Sequence, residues 1–193
     1  MITLITGGSG SGKSAYAEEC IGMLSEGCHK YYLATMQVFG EEGQAKVERH
    51  QKLRNGKGFV TIEQTLSIHE VLKKIEKLQA DKPEEETEGK QVDSTALLEC
   101  MSNLVANEMF SEEIPKSEQA VTKKIIREIE LLSRGLKHLV IVTNNVFEDG
   151  ITYDATTMEY IRAIGNINEK LALMADEVVE VVVGIPLTIK EGK

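Results

Sequence analysis

The chain has 193 residues, of which 41% are hydrophobic, and a formal net charge of −9. That length can bury one full core, so a single domain over residues 1–193 is expected. The acidic balance excludes a nonspecific nucleic-acid binder, which needs a basic stripe to displace counterions. Cys20, Cys28 and Cys100 have no C-x-x-C spacing and point to reduced thiols in a cytoplasmic protein rather than to a disulfide frame or metal cluster. No apolar run approaches the ~20 residues of a membrane span.

In chain order, a β-rich run at residues 2–6 leads into Gly7-Gly8-Ser9-Gly10-Ser11-Gly12-Lys13-Ser14. This is the G-x-x-x-x-G-K-[ST] spacing of a phosphate-binding P-loop. Its glycines let backbone N–H groups curl around phosphate oxygens, Lys13 adds a cation for the terminal phosphates, and the Ser14 hydroxyl suits a magnesium ion. Apolar spacing at Ala17, Cys20, Ile21 and Leu24 predicts a helix over 13–25, whose N-terminus also faces the anion. Further strands are predicted at 31–35, 59–62, 96–99, 139–143 and 178–183, alternating with helices near 41–54, 67–79, 100–110, 117–134 and 154–175. The last two strands are almost wholly apolar, as strands covered on both faces are. Residues 80–95, rich in Pro, Gly and charge at their start, read as an exposed loop. The expectation is an α/β fold of the P-loop NTPase type, a mostly parallel central sheet with helices on both faces.

Two sets of residues stand out by position alone. Glu99 ends the apolar run Ala96-Leu97-Leu98, where a P-loop protein places a carboxylate to hold magnesium directly or through water. Ala34, Thr35 and Met36 follow the second strand at its C-terminal end, the side on which open parallel sheets place their ligand crevice. His50, in the mixed-charge helix Ala45–Arg54, reads from pattern as an ordinary solvated side chain. His29, His69 and His138 read as structural.

The order of Gly7–Ser14, Tyr32-Leu33-Ala34-Thr35, a helix with Glu42, Val47, His50 and Arg54, Thr61-Ile62-Glu63, Leu97-Leu98-Glu99-Cys100 with Asn107, Val142-Thr143-Asn144 and the tail from Gly165 to Lys190 resembles one family. It is that of the bifunctional adenosylcobinamide kinase/adenosylcobinamide-phosphate guanylyltransferases. The resemblance implies phosphorylation of adenosylcobinamide with ATP or GTP, then transfer of GMP from GTP through a histidine to give adenosylcobinamide-GDP. It places the guanylylated histidine at His50 and nucleotide contacts at Gln51, Lys52, Leu53, Arg54 and Glu63. It further implies Mg²⁺ at Ser14 and Glu99, a cobinamide-type corrinoid substrate, and a homotrimer. Where the family carries Asn-Glu-Val-Gly and two arginines, this chain has Asn144-Asn145-Val146-Phe147 and then Met158 and Ile161. Read from the residues alone, a P-loop kinase of another small hydroxyl substrate, or a nucleotide-binding regulatory protein without turnover, stays open.

Overall fold

In the computed structural model, residues 1–37, 56–81, 93–145, 150–151 and 153–192 are described. Their core is a seven-stranded sheet in the order β3-β2-β4-β5-β1-β6-β7. The strands are β1 Ile2–Thr6, β2 His29–Ala34, β3 Phe59–Glu63, β4 Ser94–Glu99, β5 His138–Val142, β6 Glu177–Val182 and β7 Ile185–Lys190. Six run parallel and β7 pairs antiparallel with β6. The described α-helices are α1 Lys13–Leu24, α2 Val71–Ala80, α3 Met101–Met109, α4 Glu118–Arg134 and α5 Ala155–Met174, and a 3₁₀ turn Ile68–Glu70 precedes α2.

The two-residue period of the strands divides their side chains between two apolar layers. Leu4, Leu33, Leu98 and Ile141 face a large core with Met101, Leu104, Ile125, Ile129, Ile164 and Ile167 of α3, α4 and α5. Ile5, Tyr32, Leu97 and Val140 face the opposite way, onto Ala17, Cys20 and Ile21 of α1. The sheet is therefore covered on both sides, which is why its central strands carry nearly unbroken apolar runs. The helix after β1 lies on one face and the helices after β4 and β5 lie on the other. Neighbouring strands β1 and β5 thus send their chains to opposite sides and open a crevice at their C-terminal ends.

Most expected elements are present with shifted ends, and two differences have physical causes. Residues 80–95 are not all loop: Ala80 closes α2, and Ser94 and Thr95 open β4. Both are buried, and Ser94 accepts from Gln79 Nε2 at 2.8 Å, so their polar side chains are satisfied inside the sheet rather than by water. Residues 82–92 and the predicted helix 41–54 lie outside the described residues. The second difference is β7, a strand not foreseen at the tail. It forms because Val183 and Gly184, at φ 46° and 83°, make a two-residue hairpin turn that folds Ile185–Lys190 back on β6. No helix among the described residues is long and apolar enough to cross a membrane.

Candidate functional site

Because β1 to β6 are parallel, their C-terminal ends share one rim of the sheet. Across it stand Glu63 on β3, Thr35 after β2, Glu99 on β4, Asn144 after β5 and the Gly7–Ser14 loop after β1, at ~4.8 Å per strand step. The loop is tightly built. Gly7 could not carry a side chain: a Cβ there would lie 2.5 Å from the Val181 carbonyl oxygen and 2.7 Å from Ser11 Oγ. Ser11 N–H donates to Gly8 O at 3.2 Å, and Gly184 N–H donates to Ser11 O at 2.8 Å, so the β6–β7 turn buttresses the loop from outside. The buttress was absent from the sequence reading. Its signal is the Val183-Gly184 pair between two apolar runs, with Gly supplying one of the two positive φ angles.

Lys13 opens α1 and is buried, with its Nζ donating to Gly8 O at 3.0 Å inside the loop. Burial pulls its pKa down, opposed by the charges of Cys100 and Glu99 nearby. Ser11 Oγ is buried with no hydrogen-bond partner among the described residues. A desolvated ammonium and an unmatched hydroxyl in one concave loop both favour an anion with several acceptor oxygens, as a polyphosphate has.

Ser14 Oγ donates to Glu99 Oε1, and Tyr32 OH donates to Glu99 Oε2 at 2.8 Å. The residues come from α1, β4 and β2, and the alternation along β2 is what turns Tyr32 toward the α1 face. The sequence reading paired Ser14 with Glu99 but gave Tyr32 no role. Hydroxyl and carboxylate oxygens are the donors that a hard divalent cation takes, with water and phosphate completing its shell. No group of three or more His, Cys, Asp or Glu side chains among the described residues forms a separate metal site.

Beyond Glu99, Thr35 is wholly buried, with Oγ1 donating to Cys100 O at 2.8 Å, and Ala34 and Met36 flank it at the rim. Glu63 is exposed at the end of β3. On the other side of Glu99, Asn144 Nδ2 donates to Ser102 Oγ at 2.7 Å, and Thr143 Oγ1 donates to Asn168 Oδ1 at 2.7 Å, linking the rim to α5. The structure thus brings Gly7–Ser14 and Glu99 into contact and places Ala34–Met36 and Glu63 along the same rim. His50, Gln51, Lys52, Leu53 and Arg54 lie outside the described residues. Of the other histidines, His29 and His138 are half-buried first residues of β2 and β5, and His69 Nδ1 lies 3.2 Å from Glu128 Oε1.

The family model described as cobinamide kinase / cobinamide phosphate guanyltransferase matches residues 3–189. The bifunctional adenosylcobalamin biosynthesis protein CobU of Escherichia coli (strain K12) is 33% identical over 201 residues, covering 98% of this chain and 100% of that protein. Its namesake from Salmonella typhimurium (strain LT2) is 31% identical over 200 residues, with the same coverage. Among solved structures, the ATPase domain of G40P superposes with a TM-score of 0.55 at 12% identity, over 93% of this chain and 68% of that one, a likeness of fold alone. With a match that runs from β1 through β7 and relatives spanned end to end, the chain belongs to the cobinamide kinase / cobinamide phosphate guanyltransferase family.

Proposed function

We propose that this protein is a cytoplasmic adenosylcobinamide kinase and adenosylcobinamide-phosphate guanylyltransferase of cobalamin assembly. The observation that carries the reading is the convergence of Lys13, Ser14 and Glu99 at the phosphate loop of a chain that belongs to this family. In the kinase step the corrinoid's hydroxyl oxygen attacks the γ-phosphorus of ATP or GTP. The bond to the β–γ bridging oxygen breaks, the nucleoside diphosphate leaves, and the hydroxyl proton passes to solvent. The loop's N–H groups and Lys13 neutralise charge on the leaving phosphates, while Tyr32 holds the Glu99 carboxylate in place. Ser14 and Glu99 are the residues that would hold Mg²⁺, which would offset the negative charge of the phosphates.

In the guanylyl step a ring nitrogen of neutral His50 attacks the α-phosphorus of GTP and pyrophosphate leaves. A phosphate oxygen of the corrinoid then attacks the same phosphorus, the P–N bond breaks, and the free histidine returns. Arg54 offsets charge on the equatorial oxygens, and Gln51, Lys52 and Leu53 line the same nucleotide. Ala34, Thr35 and Met36 contact nucleotide through their backbone, and the Glu63 carboxylate accepts hydrogen bonds from base or ribose. The active assembly is a homotrimer.

Incubation with Mg²⁺ and α-labelled GTP, followed by a denaturing gel, tests the reading. Acid-labile, alkali-stable label on wild type and none on His50→Ala is the expected result. An unlabelled wild type that still binds GTP overturns the guanylyl step.

A further inference from the structure

Two adjacent residues of α3 reach the rim from behind. Asn107 Nδ2 donates to Thr35 O at 2.7 Å and to Thr65 O at 3.0 Å, so one amide group ties the chain leaving β2 to the chain leaving β3. Glu108, 2% exposed, accepts the Ser67 N–H at 2.7 Å and pairs with Lys124 of α4. Lys124 also lies 3.0 Å from Glu128, itself 5% exposed, and Glu128 meets His69 at 3.2 Å. Gln64 N–H donates to Ala34 O at 2.9 Å, so residues 64–69 are held from both sides. Within them Ser67, not a glycine, is fixed at φ 50°. Such a conformation persists where surrounding bonds over-determine it.

A network of two buried carboxylates and a half-buried lysine is a poor source of stability, because apolar packing in place of the buried groups often does as well or better. What it supplies is position. The segment it fixes directly follows Glu63, bonds to Ala34 and is tied through Asn107 to Thr35. Guanine offers N–H donors on its Watson–Crick edge where adenine offers an acceptor, so a carboxylate at that rim discriminates between them only if it is held at hydrogen-bond distance.

We propose that Asn107 and Glu108 are positioning residues that set the preference of the crevice for guanine over adenine nucleotides, by fixing the ends of β2 and β3 relative to each other. The inference rests on Thr35, Met36 and Glu63 being nucleotide contacts, as read above. The Asn107 amide nitrogen supplies both donors, whereas a carboxylate of the same shape would set lone pairs against both carbonyl oxygens.

The test measures equilibrium binding of α,β-methylene GTP and α,β-methylene ATP to the wild type and to Asn107→Asp and Asn107→Ser, with a thermal melt for each. The wild type should bind the guanine analogue more tightly. Asn107→Asp should cut that preference about tenfold and Asn107→Ser less, through weaker binding of the guanine analogue. A general packing role would weaken both analogues equally. An unchanged ratio in the variant that melts as a folded protein, or a wild type without preference, overturns the proposal. Because these analogues cannot be cleaved at the α-phosphorus, the result is independent of whether His50 is guanylylated.

Discussion

Single side chains at this site act mainly by excluding alternatives. Gly7 lies so close to the Val181 carbonyl that any Cβ must displace backbone, which cannot yield as a side-chain tip can. Gly7→Ala should therefore cost about 1–3 kcal/mol in a urea titration and abolish tight GTP binding, since the loop can no longer close around phosphate. At Gly135, by contrast, the clash is with the side chain of Leu72, and φ is −90°. Gly135→Ala should stay within about 1 kcal/mol of wild type with GTP binding intact. Equal losses in the two variants would show that the close approach at Gly7 does not govern the loop. The P-loop residues were legible because their spacing is itself the chemistry. The roles of Tyr32 and Asn107 were not, because their partners are 67, 72 and 42 positions away along the chain.

Elements follow their local signals where capping and periodicity agree. α4 runs from a Ser117 cap to Gly135 with Val121, Ile125, Ile129 and Leu132 inward, as the helical spacing predicts. α5 is started by Asp154, whose carboxylate accepts from Thr156 N–H at 2.9 Å, Thr157 N–H at 3.0 Å and the Thr157 hydroxyl at 2.6 Å. These bonds, the Thr157 hydroxyl's above all, hold the Asp154 carboxyl below its ordinary 3.8. With the folded value below the unfolded one, its contribution is present above pH 3.8 and is lost as pH falls through the folded value. Asp154→Ala should thus lower Tm by a few degrees at pH 7, with the gap to wild type closing in acid below that value. A gap that stays constant across the pH series would show that the carboxylate's charge is not what caps the helix. The unforeseen β7 marks the limit of local reading, since Ile185–Lys190 is a strand only because β6 and the Val183-Gly184 turn give it a partner.

At the scale of the molecule, β7 presents Ile185, Leu187 and Ile189 on one face of an edge strand, with exposures of 59%, 46% and 63%. A contiguous apolar row on a sheet edge invites burial by another chain, which the proposed homotrimer would provide. Light scattering should give about three times the 21.4 kDa chain mass, and Ile185→Lys with Ile189→Lys should lower it toward one chain. A wild type that elutes at the mass of one chain would rule the assembly out. The sequence alone determined the α/β alternation, the phosphate loop, the Glu99 carboxylate and the family, because each is written in short-range spacing or in residue order. Tertiary structure alone decided the strand order, the added hairpin, the Tyr32–Glu99–Ser14 contact and the Asn107 tie between two strand ends. Those depend on which strands become neighbours, and that is set by burial of two apolar sheet faces against helices from distant parts of the chain rather than by any local pattern.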